Sequence, residues 1–141
     1  FVDIYSKNKR SNIMSRISGN NTKPEILVRK YLFSHGFRYR KNKKELPGKP
    51  DIVLSKYHVI IFINGCFWHG HTCRAGRLPE TNHAFWENKI HKNILRDKKN
   101  IQELETRGWK VIVIWECELK NTTLQNNRLT LLISEIKSNL A

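Results

Sequence analysis

His58-Val59-Ile60-Ile61-Phe62-Ile63-Asn64 is the stretch whose reading decides the fold. A short apolar run rich in β-branched residues reads as a central strand buried on both faces. Asp51–Leu54 lies just upstream, across only Ser55-Lys56-Tyr57, so the two runs predict an antiparallel hairpin. Downstream, residues 82–107 predict a long helix with Trp86, Ile90, Ile94, Ile101 and Leu104 on one face, ended by Gly108. Trp109–Trp115 then predicts a third buried strand, and Trp109 and Trp115 are expected in the core. Such a strand–helix–strand pass places the last strand parallel to the one before it. The C-terminal ends of the two strands would then meet at one edge.

Further out, Thr22-Lys23-Pro24-Glu25 reads as a helix start, with Thr22 as cap, Pro24 in the first turn and Glu25 closing a capping box. Leu27, Val28, Tyr31 and Leu32 give that helix its apolar face, and Gly36 stops it. Phe37–Arg40 is strand-like and Pro47-Gly48-Lys49-Pro50 is a turn. Leu129, Leu132, Ile133 and Ile136 mark a C-terminal helix within residues 121–141. Phe1–Ser11 is polar and basic without a sustained period and reads as a mobile arm or a short helix, within an N-terminal segment over residues 1–20. The expected class is α/β, a small mixed sheet flanked by helices. The 141 residues suit one domain with a real core. A chain that opens on Phe1 rather than Met predicts that further residues precede it.

No apolar run approaches the ~20 residues of a membrane helix, and no signal peptide opens the chain. The net charge is +14, and it is lopsided: residues 1–50 carry 13 basic and 3 acidic side chains, residues 51–141 carry 13 and 9. A polyanion partner explains this bias, because each cation that neutralises a phosphate releases condensed counterions. An anionic membrane is the rival partner, but no basic amphipathic helix of the interfacial kind is present. Arg38, Arg40, Lys41, Lys43 and Lys44 place five cations in seven residues, either tracking phosphates or simply solvated.

The only cysteines are Cys66, Cys73 and Cys117, an odd number that argues against a disulfide framework. Cys66 and Cys73 bracket His71, and Cys117 follows the last strand. If the strand ends meet, the four form a closed Cys3His set of the kind that holds structural zinc. The alternative is three free thiols and a loop histidine. Asp51 is a lone carboxylate at the start of an apolar strand. It either caps the turn or holds a hard divalent cation against a phosphate. His69 shares the loop with the metal candidates and is a general base, a fifth polar group near the metal, or a phosphate contact. Phe67 and Trp68 stand in a polar loop, where aromatics suit stacking on or between bases. Trp86 fits either that role or the helix core.

Together these residues resemble the very-short-patch-repair (Vsr) mismatch endonuclease family. The resemblance is carried by Asp51, residues 62–73 (Phe-Ile-Asn-Gly-Cys-Phe-Trp-His-Gly-His-Thr-Cys), Trp86-Glu87-Asn88-Lys89-Ile90, Asn93, Arg96-Asp97, Gly108-Trp109 and Trp115-Glu116-Cys117. Met14-Ser15-Arg16-Ile17 and Thr22–Glu25 match as well, so it spans roughly residues 12–120. It implies a restriction-endonuclease-like fold and a Mg2+-dependent nick 5′ of T in T·G mismatches left by 5-methylcytosine deamination. It implies Mg2+ on Asp51 and the Ile63 carbonyl, His69 as base and Glu25 in the outer shell. Zn2+ would sit on Cys66, His71, Cys73 and Cys117. Phe67, Trp68 and Trp86 would form an aromatic wedge, and Met14 would enter from the minor groove in a DNA-contacting arm. A monomer working on bacterial chromosomal DNA in the cytoplasm, beside mismatch-repair proteins, is the implied setting. The best-known members carry Thr-His where this chain has Ile63-Asn64. A carbonyl ligand survives that change, but Asn64 cannot take a proton. A restriction-type endonuclease and a binding module without turnover are the rival readings.

Overall fold

A computed structural model describes residues 22–41 and 45–139. The elements run α1 (Lys23–Ser34), β1 (Arg40–Lys41), β2 (Ile52–Leu54), β3 (Val59–Asn64), α2 (His83–Thr106), β4 (Lys110–Trp115) and α3 (Thr122–Lys137). Short 3-10 turns occupy Ser55–Tyr57, Arg74–Gly76 and Glu116–Leu119. The sheet order is β1-β2-β3-β4. β1 and β3 both run antiparallel to β2, and β4 runs parallel to β3.

The alternation of side chains sorts the sheet into two cores. Ile52, Leu54, Val59, Ile61, Ile63, Ile112 and Ile114 face α1 and α3, where Val28, Leu32, Leu129, Leu132 and Ile136 meet them. Val53 and Ile60 face the other way, onto Leu104 of α2. Because β3 is covered on both sides, a one-residue slip would exchange its two apolar sets, which pins the register. That register sets Asn64 opposite Trp115, so the C-terminal ends of β3 and β4 do meet at one edge. The functional loop 65–79 leaves the sheet there. Among the described residues no helix is long and apolar enough to cross a membrane.

Three local expectations need correction. The strand expected over Phe37–Arg40 is only Arg40–Lys41, because Phe37 turns inward against Tyr57. The capping box at α1 is half made: the Glu25 N–H reaches Thr22 Oγ1 at 3.5 Å, but the Glu25 carboxylate turns to Arg29. Trp109 and Trp115 are both half-buried: Trp109 packs against the second core and stacks on His58, whereas Trp115 lies outside the core and stacks on His71. Met14 with the expected arm, and Lys43 and Lys44, lie outside the described residues.

Candidate active site and metal centre

Asp51 directly precedes β2, and the antiparallel pairing carries Ile63 to it. The Ile63 N–H donates to Asp51 Oδ2 at 2.7 Å. Burial pushes the Asp51 carboxyl up to about 7; that N–H pulls it down, and Glu25 pushes it up again. Arg29 and His69 lower it further down the order of effects. Glu25 is itself 3% exposed on the buried face of α1, with its Oε2 3.5 Å from Arg29 Nη1. The half-buried Asp51 carboxylate and the buried Glu25 carboxylate whose charge pushes it up are hard oxygen donors that a divalent cation would relieve.

His69 comes from the loop after β3, and its Nδ1 meets Asp97 Oδ2 of α2 at 2.5 Å. A carboxylate acceptor requires the hydrogen on Nδ1, which leaves Nε2 as the basic nitrogen. Arg96 Nη2 reaches the other Asp97 oxygen at 3.5 Å. These groups open onto a cavity of about 400 Å³ whose wall also includes Lys49, Phe62 and Asn64. A second cavity of about 380 Å³ shares Asn64, His69 and Asp97 and runs on to His71 and Trp115. An imidazole held this way can accept a proton from a water on the cavity wall.

On the far side of the loop, Cys66, His71, Cys73 and Cys117 present ligand atoms within 4.8 Å of one another. The set could hold a metal ion such as zinc. Cys117 Sγ lies 3.6 Å from His71 Nδ1, and the Trp115 ring stacks on His71 at 4.2 Å between centroids. Burial first, and the neighbouring sulfurs with it, push the Cys66 thiol up to about 12; burial raises Cys117 as well. Three sulfurs and one imidazole, converging with no cation side chain among them, are a soft tetrahedral donor set.

Phe67, Trp68 and Trp86 do form one cluster, with centroid separations of 5.2, 5.4 and 5.8 Å. Trp68 stands 50% exposed, and its carbonyl is held by Asn93 Nδ2 of α2 at 2.9 Å. Phe85 joins through Trp86 at 5.2 Å. Trp86 therefore belongs with the loop aromatics. Arg40 and Lys41 form the exposed edge strand, and Lys41 pairs with Ile52 next to Asp51. Arg38 instead lies over the Phe33 ring of α1.

Sequence reasoning assigned no role to Asp97, Asn93 or Phe85. Asp97 did leave a signal. It falls three residues after Ile94 and four before Ile101, on the inward stripe of α2, where an acid needs a partner. Asn93 and Asp97 also stood among the residues that carry the family resemblance, though without a role; Phe85 left no signal.

A histidine–aspartate pair that acts on a half-buried carboxylate, on a loop that also carries the exposed Trp68, suits a nuclease. Comparison with known proteins narrows the class. Residues 2–75 match the family model described as DNA mismatch endonuclease Vsr. The type II nicking enzyme V.NmeAIP of Neisseria meningitidis serogroup A is 58% identical over 136 residues, covering 96% of this chain and 97% of the relative. V.XorIIP of Xanthomonas oryzae is 42% identical over 120 residues, covering 85% and 88%. The DNA mismatch endonuclease Vsr of Escherichia coli K12 is 39% identical over 119 residues, covering 84% and 76%. The chain belongs to the Vsr family of DNA endonucleases.

Proposed function

We propose that this chain nicks one strand of duplex DNA, 5′ of T in T·G mismatches left by 5-methylcytosine deamination. The observation that carries the reading is the His69–Asp97 pair, near enough to Asp51 for its charge to be felt there and one residue on from Trp68, the exposed member of the aromatic cluster. Residues 1–141 act as one domain and as a monomer, on a restriction-endonuclease-like scaffold. The work is done on bacterial chromosomal DNA in the cytoplasm, alongside mismatch-repair proteins.

Asp51 and the Ile63 carbonyl would hold Mg2+, which when bound supplies positive charge to the phosphate and to its water. Glu25 would bond water in the outer shell. Cys66, His71, Cys73 and Cys117 would hold Zn2+ and thereby stiffen the loop that carries His69. His69 accepts the proton of the attacking water at Nε2 while Asp97 keeps the ring oriented. Asn64 lines the same cavity; it can orient a water but cannot deprotonate it. Phe67, Trp68 and Trp86 enter the stack at the mismatch, where unpaired bases are cheapest to part. Arg38, Arg40, Lys41, Lys43 and Lys44 contact phosphates, and Met14 enters the minor groove.

The test is incubation with Mg2+ and end-labelled duplexes that carry T·G, C·G or T·A at one position in varied flanks. The reading expects one nick, in the T strand of T·G alone. Cutting of C·G duplex would favour a restriction-type enzyme. Tight T·G binding without a nick, restored to nicking by Asn64→His, would make this chain a binding module.

A further inference from the structure

The turn that leads to Asp51 carries a backbone oddity on the cavity wall. Gly48 and Lys49 are both left-handed, with φ of 78° and 48°. Glycine takes that conformation freely, and Gly48 uses it to approach closely: a Cβ there would stand 3.2 Å from Phe62 of β3 and from Asn100 of α2. The turn is thus seated against both elements that wall the cavity. Lys49 has no such excuse. Among the described residues the other non-glycine positions with positive φ are His58 and Asn82, two types that tolerate it better. Lys49 also precedes Pro50, which further restricts its backbone. A second glycine would relieve the strain, so a lysine in this conformation calls for a use.

Lys49 is exposed, on the cavity wall that Asn64, His69 and Asp97 share. Arg96 is the other cation on the wall, and it is engaged with Asp97. Among the described residues Lys49 makes no ion pair. The geometry points to Lys49 as a further catalytic residue, its ammonium on the phosphodiester to be cut. The inference rests on the nicking reading above. In that reaction the water oxygen bonds to phosphorus, its proton passes to His69, and one ester P–O bond breaks. The leaving oxygen departs as an alcohol with a proton from solvent. Negative charge builds on the non-bridging oxygens meanwhile, and a fixed ammonium stabilises it.

Single-turnover nicking of T·G duplex by Lys49→Met, Lys49→Arg and Lys49→Gly tests this, together with their melting temperatures. Lys49→Met should slow nicking about 10²- to 10³-fold, the usual loss for one such donor. Lys49→Arg should recover at least tenfold of that. Lys49→Gly should nick as poorly as Lys49→Met yet melt higher, a split that a structural turn residue would not give. Nicking within twofold of the parent by Lys49→Met or Lys49→Gly would overturn the assignment. So would losses that follow melting temperature and are not recovered by Arg. Should the parent nick no duplex, the nicking reading fails by itself, and binding decides the role of Lys49. The parent should then bind T·G duplex with a phosphodiester at the linkage 5′ of T about fivefold tighter than with a neutral methylphosphonate there. Loss of that preference in Lys49→Met would support the contact; an unchanged preference would overturn it.

Discussion

The Asp97 contact fixes the His69 tautomer, and in the proposed function that contact is what makes the imidazole a base. Asp97→Asn keeps the size of the side chain but can present an N–H to Nδ1 and favour the wrong tautomer. Single-turnover nicking should fall by about 10²- to 10⁴-fold, the range for general base catalysis, with T·G affinity held within a few-fold. Asp51 makes the complementary case, because its burial is unfavourable for the fold. Its carboxyl ionises near 3.8 when unperturbed and near 7 in the folded chain. The folded state therefore holds a proton that the unfolded state has released, and stability falls as pH rises between these values. In Mg2+-free buffer at pH 8, Asp51→Asn should be more stable by on the order of 1–3 kcal/mol, and inactive. Melting curves from pH 4 to 8 should lose their decline above pH 4 in this variant.

At the scale of elements, the loop 65–79 depends on close backbone approaches that no composition rule reveals. A Cβ at Gly76 would collide with the His71 carbonyl, so Gly76→Ala must displace a member of the metal set. The purified variant should hold markedly less zinc than the parent by elemental analysis, and it should melt at lower temperature. The elements themselves were largely legible. The run from Val59 to Asn64, the three-residue connection before it and the apolar stripe of α2 gave the hairpin, the parallel β4 and hence the meeting of Cys117 with Cys66 and Cys73. Those signals are periodic and local. The two-residue β1 has no period to read, and its pairing is set by Phe37 folding inward. The His69–Asp97 contact joins residues 28 apart and depends on how α2 docks. The positive φ of Lys49 comes from the fit of its turn against Phe62 and Asn100, which sequence alone does not carry.

Across the whole molecule, charge and aromatics divide the work of binding. In the proposed function the +14 charge would supply affinity for any duplex, and the aromatic cluster would supply preference for a mismatch. Neutralising Arg40 and Lys41 together should flatten the salt dependence of DNA binding by about two units of log K per log [salt], equally for matched and mismatched duplex. Trp68→Ala should instead lower T·G affinity by roughly 5- to 150-fold and matched-duplex affinity much less, because stacking gains most where the pair is already weak. Equal losses on both duplexes would assign Trp68 to holding the loop.

The central claim is that this edge of the sheet is a phosphodiester-cleaving site with His69 as its base. Single-turnover nicking of one end-labelled T·G duplex with Mg2+, by parent and His69→Ala at matched zinc content, tests it most directly. The account predicts a single nick 5′ of T by the parent and a rate about 10²- to 10⁴-fold lower for His69→Ala, with mismatch binding kept. Nicking at the parent rate by His69→Ala would contradict it.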